Sequence, residues 1–391
     1  MGRALPPCFS SCGSCAPYAR GRWVVRNATA PYELGHAVWR AMGLHVLKGS
    51  SHDHGQCSTR GASTLYDWLP YDCALQTLER LAVCELLTGK QIVLVGDSQT
   101  SQIFISMVMI LEGRSGLGVD VKPGASVLSD TTASVCNDTV RLNFIRSDLL
   151  TWSNSKHEGT AIRKCNKKVK LSPFIARVSR HADLLILGTG LHVPASVPQA
   201  TSGTSAIAAR DIFFSQSLNH TLMQAIAARR RVGHSPESIV LVSASIPVPG
   251  CSQHTHPISA VQALSAMGNT RLNEWTNDWR DLHLINQAAR WAALESGIGF
   301  IDVGPLSAQR PDATMARYAK TPMSDGGSED CVHFCQPGPV DTWVTLIFNY
   351  WKSFESSFAG GPIARRVGVQ ENRAFFRFSR SEWLSSRGST Q

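Results

Sequence analysis

No stretch of this chain approaches the apolar length of a membrane span, and residues 1–24 hold no apolar run long enough for a signal peptide. Membrane association is therefore expected only if an anchor precedes this chain. The paired CxxC…CxxC and HExxH spacings that make a zinc site legible are missing too. The groups Cys251-Ser-Gln-His254-Thr-His256 and Cys331…His333…Cys335 do not replace them, so no metal is expected. There is no internal repeat, which excludes a solenoid or propeller built from sequence-similar units. Charged residues make up only 17% of the chain against 43% hydrophobic, which excludes a disordered polymer.

What is present points to a folded, oxidised protein. The 391 residues suffice for a large core. Eleven cysteines spread along the whole chain fit a disulfide framework, with the odd count leaving at least one free or paired outside the chain. Asn27-Ala-Thr, Asn137-Asp-Thr and Asn219-His-Thr are glycosylation acceptor triplets that agree with a secretory location. The formal charge of +9 includes basic clusters at 163–170 and at Arg229 to Arg231. These read as solvated surface; without a recognition motif or an aromatic platform, no nucleic-acid partner is expected.

Hydrophobic patterning gives the architecture. Ile92 to Val95 form an apolar run typical of a strand covered on both faces, and further runs follow at Val140 to Ile145, Ala182 to Leu187, Ser238 to Ala244 and Ile298 to Val303. Helical spacing over Gln99 to Leu111, Ser205 to Arg231 and Asn269 to Glu295 alternates with them, which predicts an α/β domain with a mostly parallel sheet. Residues 1–85 read as a cysteine-rich, loop-rich extension packed on a main domain of 86–355, and 356–391 as a basic tail. Met315 to Gly327 reads as a flexible loop.

Three places carry candidate chemistry. Ser98 follows Gly96-Asp97 where a strand ends and a helix begins, so its hydroxyl is presented at the carboxyl edge of the sheet beside helix N–H groups that stabilise an oxyanion. The bland alternative is an ordinary helix N-cap. Asp330 and His333 stand three residues apart after the last strand, a spacing that brings carboxylate and imidazole to one side of a turn, as an activated hydroxyl requires. Their alternative is a surface pair in a disulfide-tied loop. Gly188 and Gly190 close the third strand in a turn whose N–H groups could face an oxyanion, or simply in a glycine turn. Arg146, which leaves the strand at 140–145, and His192, which follows the two glycines, are candidates for contact with substrate.

The Gly-Asp-Ser at 96–98, together with the run Asp330-Cys-Val-His-Phe-Cys-Gln-Pro-Gly-Pro-Val-Asp-Thr-Trp343, resembles the PC-esterase domain of the trichome-birefringence-like proteins. These are plant polysaccharide O-acetyltransferases related to the SGNH (GDSL-type) hydrolases. The likeness includes Gly21-Arg-Trp-Val24, Cys57 with Tyr66, Trp68, Pro70 and Cys73, the segment Leu87 to Ser98, Ile301-Asp-Val303 with Leu306, and Arg310-Pro-Asp312. It implies an SGNH-like three-layer sandwich and a Ser98–His333–Asp330 triad. That triad would move an acetyl group from a donor such as acetyl-CoA, a co-substrate with no bound cofactor, through acetyl-Ser98 to a glycan hydroxyl. It also implies a secretory, Golgi-type location. The same triad could serve an acetylesterase, and an idle glycan-binding protein is the other alternative. Two departures stand out: Gly188 replaces the family's oxyanion-hole Asn, and Val193-Pro194 replaces its Trp-rich segment.

Overall fold

A computed structural model describes residues 17–26, 66–112, 119–121, 131–150, 178–193, 206–268, 282–318 and 330–359. The Asn27 triplet, the basic run at 163–170, the segments 201–205, 269–281 and 319–329, and the tail from 360 lie outside the described residues. The strands are β1 Gly21–Val25, β2 Tyr66–Pro70, β3 Gln91–Gly96, β4 Val119–Val121, β5 Thr131–Val135, β6 Val140–Arg146, β7 Leu184–Gly188, β8 Ile239–Val242 and β9 Gly299–Ile301. The helices are α1 Arg80–Leu87, α2 Ser98–Glu112, α3 Ala206–Arg230, α4 Ala260–Gly268, α5 Leu282–Ser296, α6 Gly304–Ser307 and α7 Pro339–Ala359.

Among the described residues one sheet runs in the order β4-β5-β6-β3-β7-β8-β9, with β6, β3, β7, β8 and β9 parallel and the β4–β5 and β5–β6 pairs antiparallel. Side chains alternate across a strand, so β3 feeds both faces: Ile92 and Leu94 enter a core with α2 and α7, while Val93 and Val95 enter one with α3 and α5. This is the mostly parallel α/β architecture expected. The chain leaves β3 toward β6 on one side and later returns to β7 on the other. Crevices for ligands open where strand order reverses in this way, and here that point is the carboxyl end of β3.

Of the elements that differ from the sequence-based reading, three have a plain physical reason. Helix α2 is buried on every side from Gln99 to Leu111 rather than along one stripe, because α7 and the sheet enclose it. Strand β5 escaped notice because Thr-Thr-Ala-Ser-Val is small and polar, although Thr131, Ala133 and Val135 are buried in alternation. Helix α7 was also missed. It starts on Pro339, well suited to a first helical position, and buries Val340, Trp343, Val344, Ile347 and Trp351 at helical spacing.

Arg229 corrects the reading of its cluster as solvated surface. It is fully buried, donating to the Ser179, Ala182 and Asp183 carbonyls, and burial pulls its pKa down to about 10. Arg230 and Arg231 are exposed. The antiparallel pair β1–β2 joins the main body through Arg310, whose guanidinium lies 4.6 Å from the Trp23 ring centroid and 5.1 Å from that of Tyr66, and is paired with buried Asp312. Trp23 Nε1 also donates to the Leu306 carbonyl at 3.0 Å, and the Asp302 N–H to Tyr18 Oη at 2.8 Å. Motifs far apart in the chain thus interlock as a cation–π and hydrogen-bonded cluster.

Candidate active site

At the turn from β3 to α2 the helix cap and the Ser98 hydroxyl are separate groups. Asp97, not Ser98, caps the helix: its Oδ1 accepts from the Gln99 N–H at 3.0 Å and the Thr100 N–H at 3.3 Å. Ser98 is left half-buried in an otherwise buried segment, with its Oγ 2.6 Å from His333 Nε2. Among the described residues nothing accepts from the Ser98 N–H, which stands at the positive end of the 15-residue helix.

Asp330 organises the other half. Its Oδ1 accepts from the Val332 N–H at 3.3 Å and the His333 N–H at 3.1 Å, so the carboxylate folds its own loop into a turn. His333 Nδ1 lies 2.9 Å from both carboxylate oxygens. An ionised carboxylate only accepts, so Nδ1 carries the proton and Nε2 is the acceptor facing the Ser98 hydroxyl. Burial pulls the His333 pKa down, but the charge and hydrogen bond of Asp330, helped by Asp97, outweigh it and leave the pKa above the ordinary histidine value despite the opposing charge of Arg146. Burial likewise pushes Asp330 up, and the charge of His333 and hydrogen bonds from His333 and Val332 bring it below the ordinary carboxylate range.

The loop is held on several sides. A Cys251–Cys331 disulfide ties it to the segment after β8, and Cys84–Cys136 ties α1 to the β5–β6 turn. Cys73 and Cys335 are disulfide-bonded as well. Since Cys251 and Cys331 are spent on each other, neither serves a metal, and among the described residues no group of three or more His, Cys, Asp or Glu is placed to hold one. The Met315 N–H donates to the His333 carbonyl at 2.9 Å and the Ala316 N–H to the Asp330 carbonyl at 3.1 Å, so the start of the segment read as flexible is a support of this loop.

Gly188 ends β7, and Gly190 follows in the turn that leaves it. Gly188 is in register with Gly96, and a Cβ on either would overlap the Thr100 hydroxyl, which is packed between them. The asparagine absent at 188 has no room there while Thr100 occupies that space. Gly190 takes φ +137°, a conformation open to glycine. Across β3, Gly96 is also in register with Arg146, at the end of β6. Arg146 pairs through Nε with Asp148, a partner the sequence did not reveal, and its Nη2 lies 3.5 Å from His192 Nε2. The two substrate candidates are therefore neighbours. Gln99 and Gln102 were missed as well; they bond the backbone on either side of His333.

Residues 75–350 match the family model described as PC-Esterase, a GDSL/SGNH-like acyl-esterase family found in Pmr5 and Cas1p. The chain is similar to "Probable xylan O-acetyltransferase 11" of Oryza sativa subsp. japonica, 25% identical over 317 residues covering 73% of this chain and 75% of that protein. It is also similar to "Protein trichome birefringence-like 35" of Arabidopsis thaliana, 23% identical over 315 residues, 76% of this chain and 69% of the relative. A shorter likeness, 40% over 60 residues and 14% of each chain, is to "Xyloglucan O-acetyltransferase 2" of Populus trichocarpa.

Proposed function

This chain belongs to the PC-esterase family of GDSL/SGNH-like acyl-esterases, and on that footing we propose that it is a polysaccharide O-acetyltransferase acting through Ser98, His333 and Asp330. The observation that carries the assignment of residues is the chain of contacts Ser98 Oγ–His333 Nε2–His333 Nδ1–Asp330 at the carboxyl end of β3. In the first half-reaction His333 Nε2 takes the Ser98 proton as Oγ attacks the acetyl carbonyl of the donor. The imidazolium, stabilised by Asp330, returns that proton to the departing group, leaving acetyl-Ser98. In the second, His333 takes the proton of a glycan hydroxyl as its oxygen attacks the acetyl-serine carbonyl; collapse releases the acetylated glycan and returns the proton to Ser98. Each oxyanion is held by the Ser98 N–H and by N–H groups of the Gly188–Gly190 turn. Arg146, at the end of β6, and His192, in the turn beyond the end of β7, are assigned to the substrate. Xylan is the acceptor to test first, since the relatives with the longest coverage are named for it, and acetyl-CoA is the donor to test first.

We place the protein in the secretory pathway, in the Golgi, as a glycoprotein. Asn137 supports this: it is exposed at the β5–β6 turn, beside a disulfide-bonded cysteine. Asn219 is half-buried in α3, and the Thr221 of its triplet is buried and donates to the Leu150 carbonyl at 3.2 Å, so Asn137 is the expected acceptor of the two.

The test is acetyl transfer from labelled donor to xylo-oligosaccharide by the full chain and by Ser98→Ala. Acetylated glycan formed by the parent and lost in the variant is expected. Free acetate released at a rate indifferent to added glycan would instead establish an esterase, and a parent protein that a serine-directed phosphonate cannot label would be no acyl enzyme at all.

A further inference from the structure

Helix α2 carries more than the serine. Gln99, Gln102 and Ser106 follow at a spacing that sets them on one helical face, and all three are buried. Burying carboxamides is costly unless every donor and acceptor is met, so their partners state what they are for. Gln99 Nε2 donates to the Val332 carbonyl at 2.7 Å and to Ser245 Oγ, while its Oε1 accepts from the Ser245 N–H at 2.9 Å. Ser245 Oγ donates in turn to the Val332 carbonyl at 3.2 Å. Gln102 treats Phe334 as a strand neighbour would: Nε2 donates to its carbonyl at 2.7 Å and Oε1 accepts from its N–H at 3.3 Å. The Gln102 carbonyl also receives Gln336 Nε2 at 2.7 Å.

Val332 and Phe334 are the residues on either side of His333. The helix that begins with Ser98 thus grips the backbone immediately before and after the imidazole, one and four residues from Ser98 itself. On the opposite side the loop is bonded to 313–316, through Met315 N–H to the His333 carbonyl and Cys335 N–H to the Ala313 carbonyl at 2.9 Å. We propose that Gln99 and Gln102 are positioning residues, a carboxamide clamp that sets His333 Nε2 against Ser98 Oγ. This rests on the triad reading of the site. A hydrogen bond between base and nucleophile tolerates little displacement; about 1 Å of misplacement costs on the order of a hundredfold in rate. Without Gln102 the buried Phe334 N–H and carbonyl lose their side-chain partner, and without Gln99 the Val332 carbonyl keeps only the Ser245 hydroxyl, which drives the loop to a different seating.

The experiment measures the second-order rate of Ser98 labelling by a fluorophosphonate in the full chain, with thermal midpoints in parallel. Gln99→Met and Gln102→Met keep side-chain length and remove the amide. Each is expected to label about 10- to 100-fold more slowly than the parent while retaining a cooperative thermal transition. Ser106→Ala is the control on the same helix face: Ser106 Oγ bonds Asp341, beyond the His333 loop, so its loss should lower the midpoint and leave labelling at the parental rate. Methionine variants that label within about twofold of the parent overturn the clamp. So does a Ser106→Ala variant that loses labelling equally at equal loss of thermal stability, since the effect is then one of stability alone. If a methionine variant does not fold, Ser245→Ala, which removes one hydroxyl from the same knot, replaces it, with a loss of about threefold or more expected and no loss overturning the proposal. His333→Ala separates the two readings: labelling as fast as the parent's would sink the triad itself, and the clamp with it.

Discussion

Replacing Asp330 with asparagine leaves the shape of the loop nearly intact and changes the proton inventory of His333. Both carboxylate oxygens lie 2.9 Å from Nδ1, and Asp330 is only 8% exposed, so water cannot take over the role of acceptor. An asparagine amide turned toward Nδ1 donates, which moves the ring proton to Nε2 and makes the base a donor toward Ser98. A wrong tautomer of this kind costs about 10⁴-fold in a serine triad. A second effect goes with it. Only neutral imidazole accepts the serine proton, so the labelling rate rises with pH through the His333 pKa, whose midpoint in the parent lies above the ordinary value of 6.5. In Asp330→Asn the largest upward influence is gone and burial prevails, so the midpoint moves to lower pH even as the plateau collapses. Each unit of movement corresponds to about 1.4 kcal/mol. The assay is fluorophosphonate labelling of Ser98 from about pH 5 to about pH 9 for both proteins, at matched thermal stability. An acid limb that stays in place or moves upward, or a plateau within tenfold of the parent, refutes the assignment of Asp330.

Gly188→Ala is expected to destabilise by about 1–3 kcal/mol through overlap with Thr100, and Gly188→Ala with Thr100→Ala to recover most of it, because the new Cβ then meets the residue-100 Cβ at an ordinary 3.4 Å; denaturant midpoints decide. Arg310→Met leaves fully buried Asp312 without its guanidinium and unseats Trp23 and Tyr66, a loss of about 3–5 kcal/mol visible in thermal melts; an unchanged midpoint would refute the cluster. Removing the Cys251–Cys331 bridge, which spans 80 residues, by a double serine substitution costs on the order of 4 kcal/mol in the chain-entropy account, read as a lower denaturant midpoint. Protein made in a eukaryotic secretory host should lose a glycosidase-sensitive mobility step on Asn137→Gln and none on Asn219→Gln; the reverse pattern would contradict the burial of Thr221.

Sequence alone determined what depends on neighbours in the chain. The apolar run 92–95, ended by Gly-Asp-Ser, specifies a buried strand and a turn, because alternation and length are local signals. Asp330 and His333 are three residues apart, so their pairing needs only one turn of backbone. The antiparallel strand β5 and helix α7 stayed hidden because small polar residues and a motif-dense run conceal their periods. What only the tertiary structure decided is which distant groups meet. Ser98 and His333 are 235 residues apart and come together because β3 lies where strand order reverses. Asp97 takes the capping role that would otherwise compete for the Ser98 hydroxyl. Gly188 was legible as a turn glycine, but that it stands in register with Gly96 and that Thr100 of α2 packs against both was not. Gln99 and Gln102 bond main-chain atoms more than 230 residues away, and a backbone partner leaves no mark in a sequence.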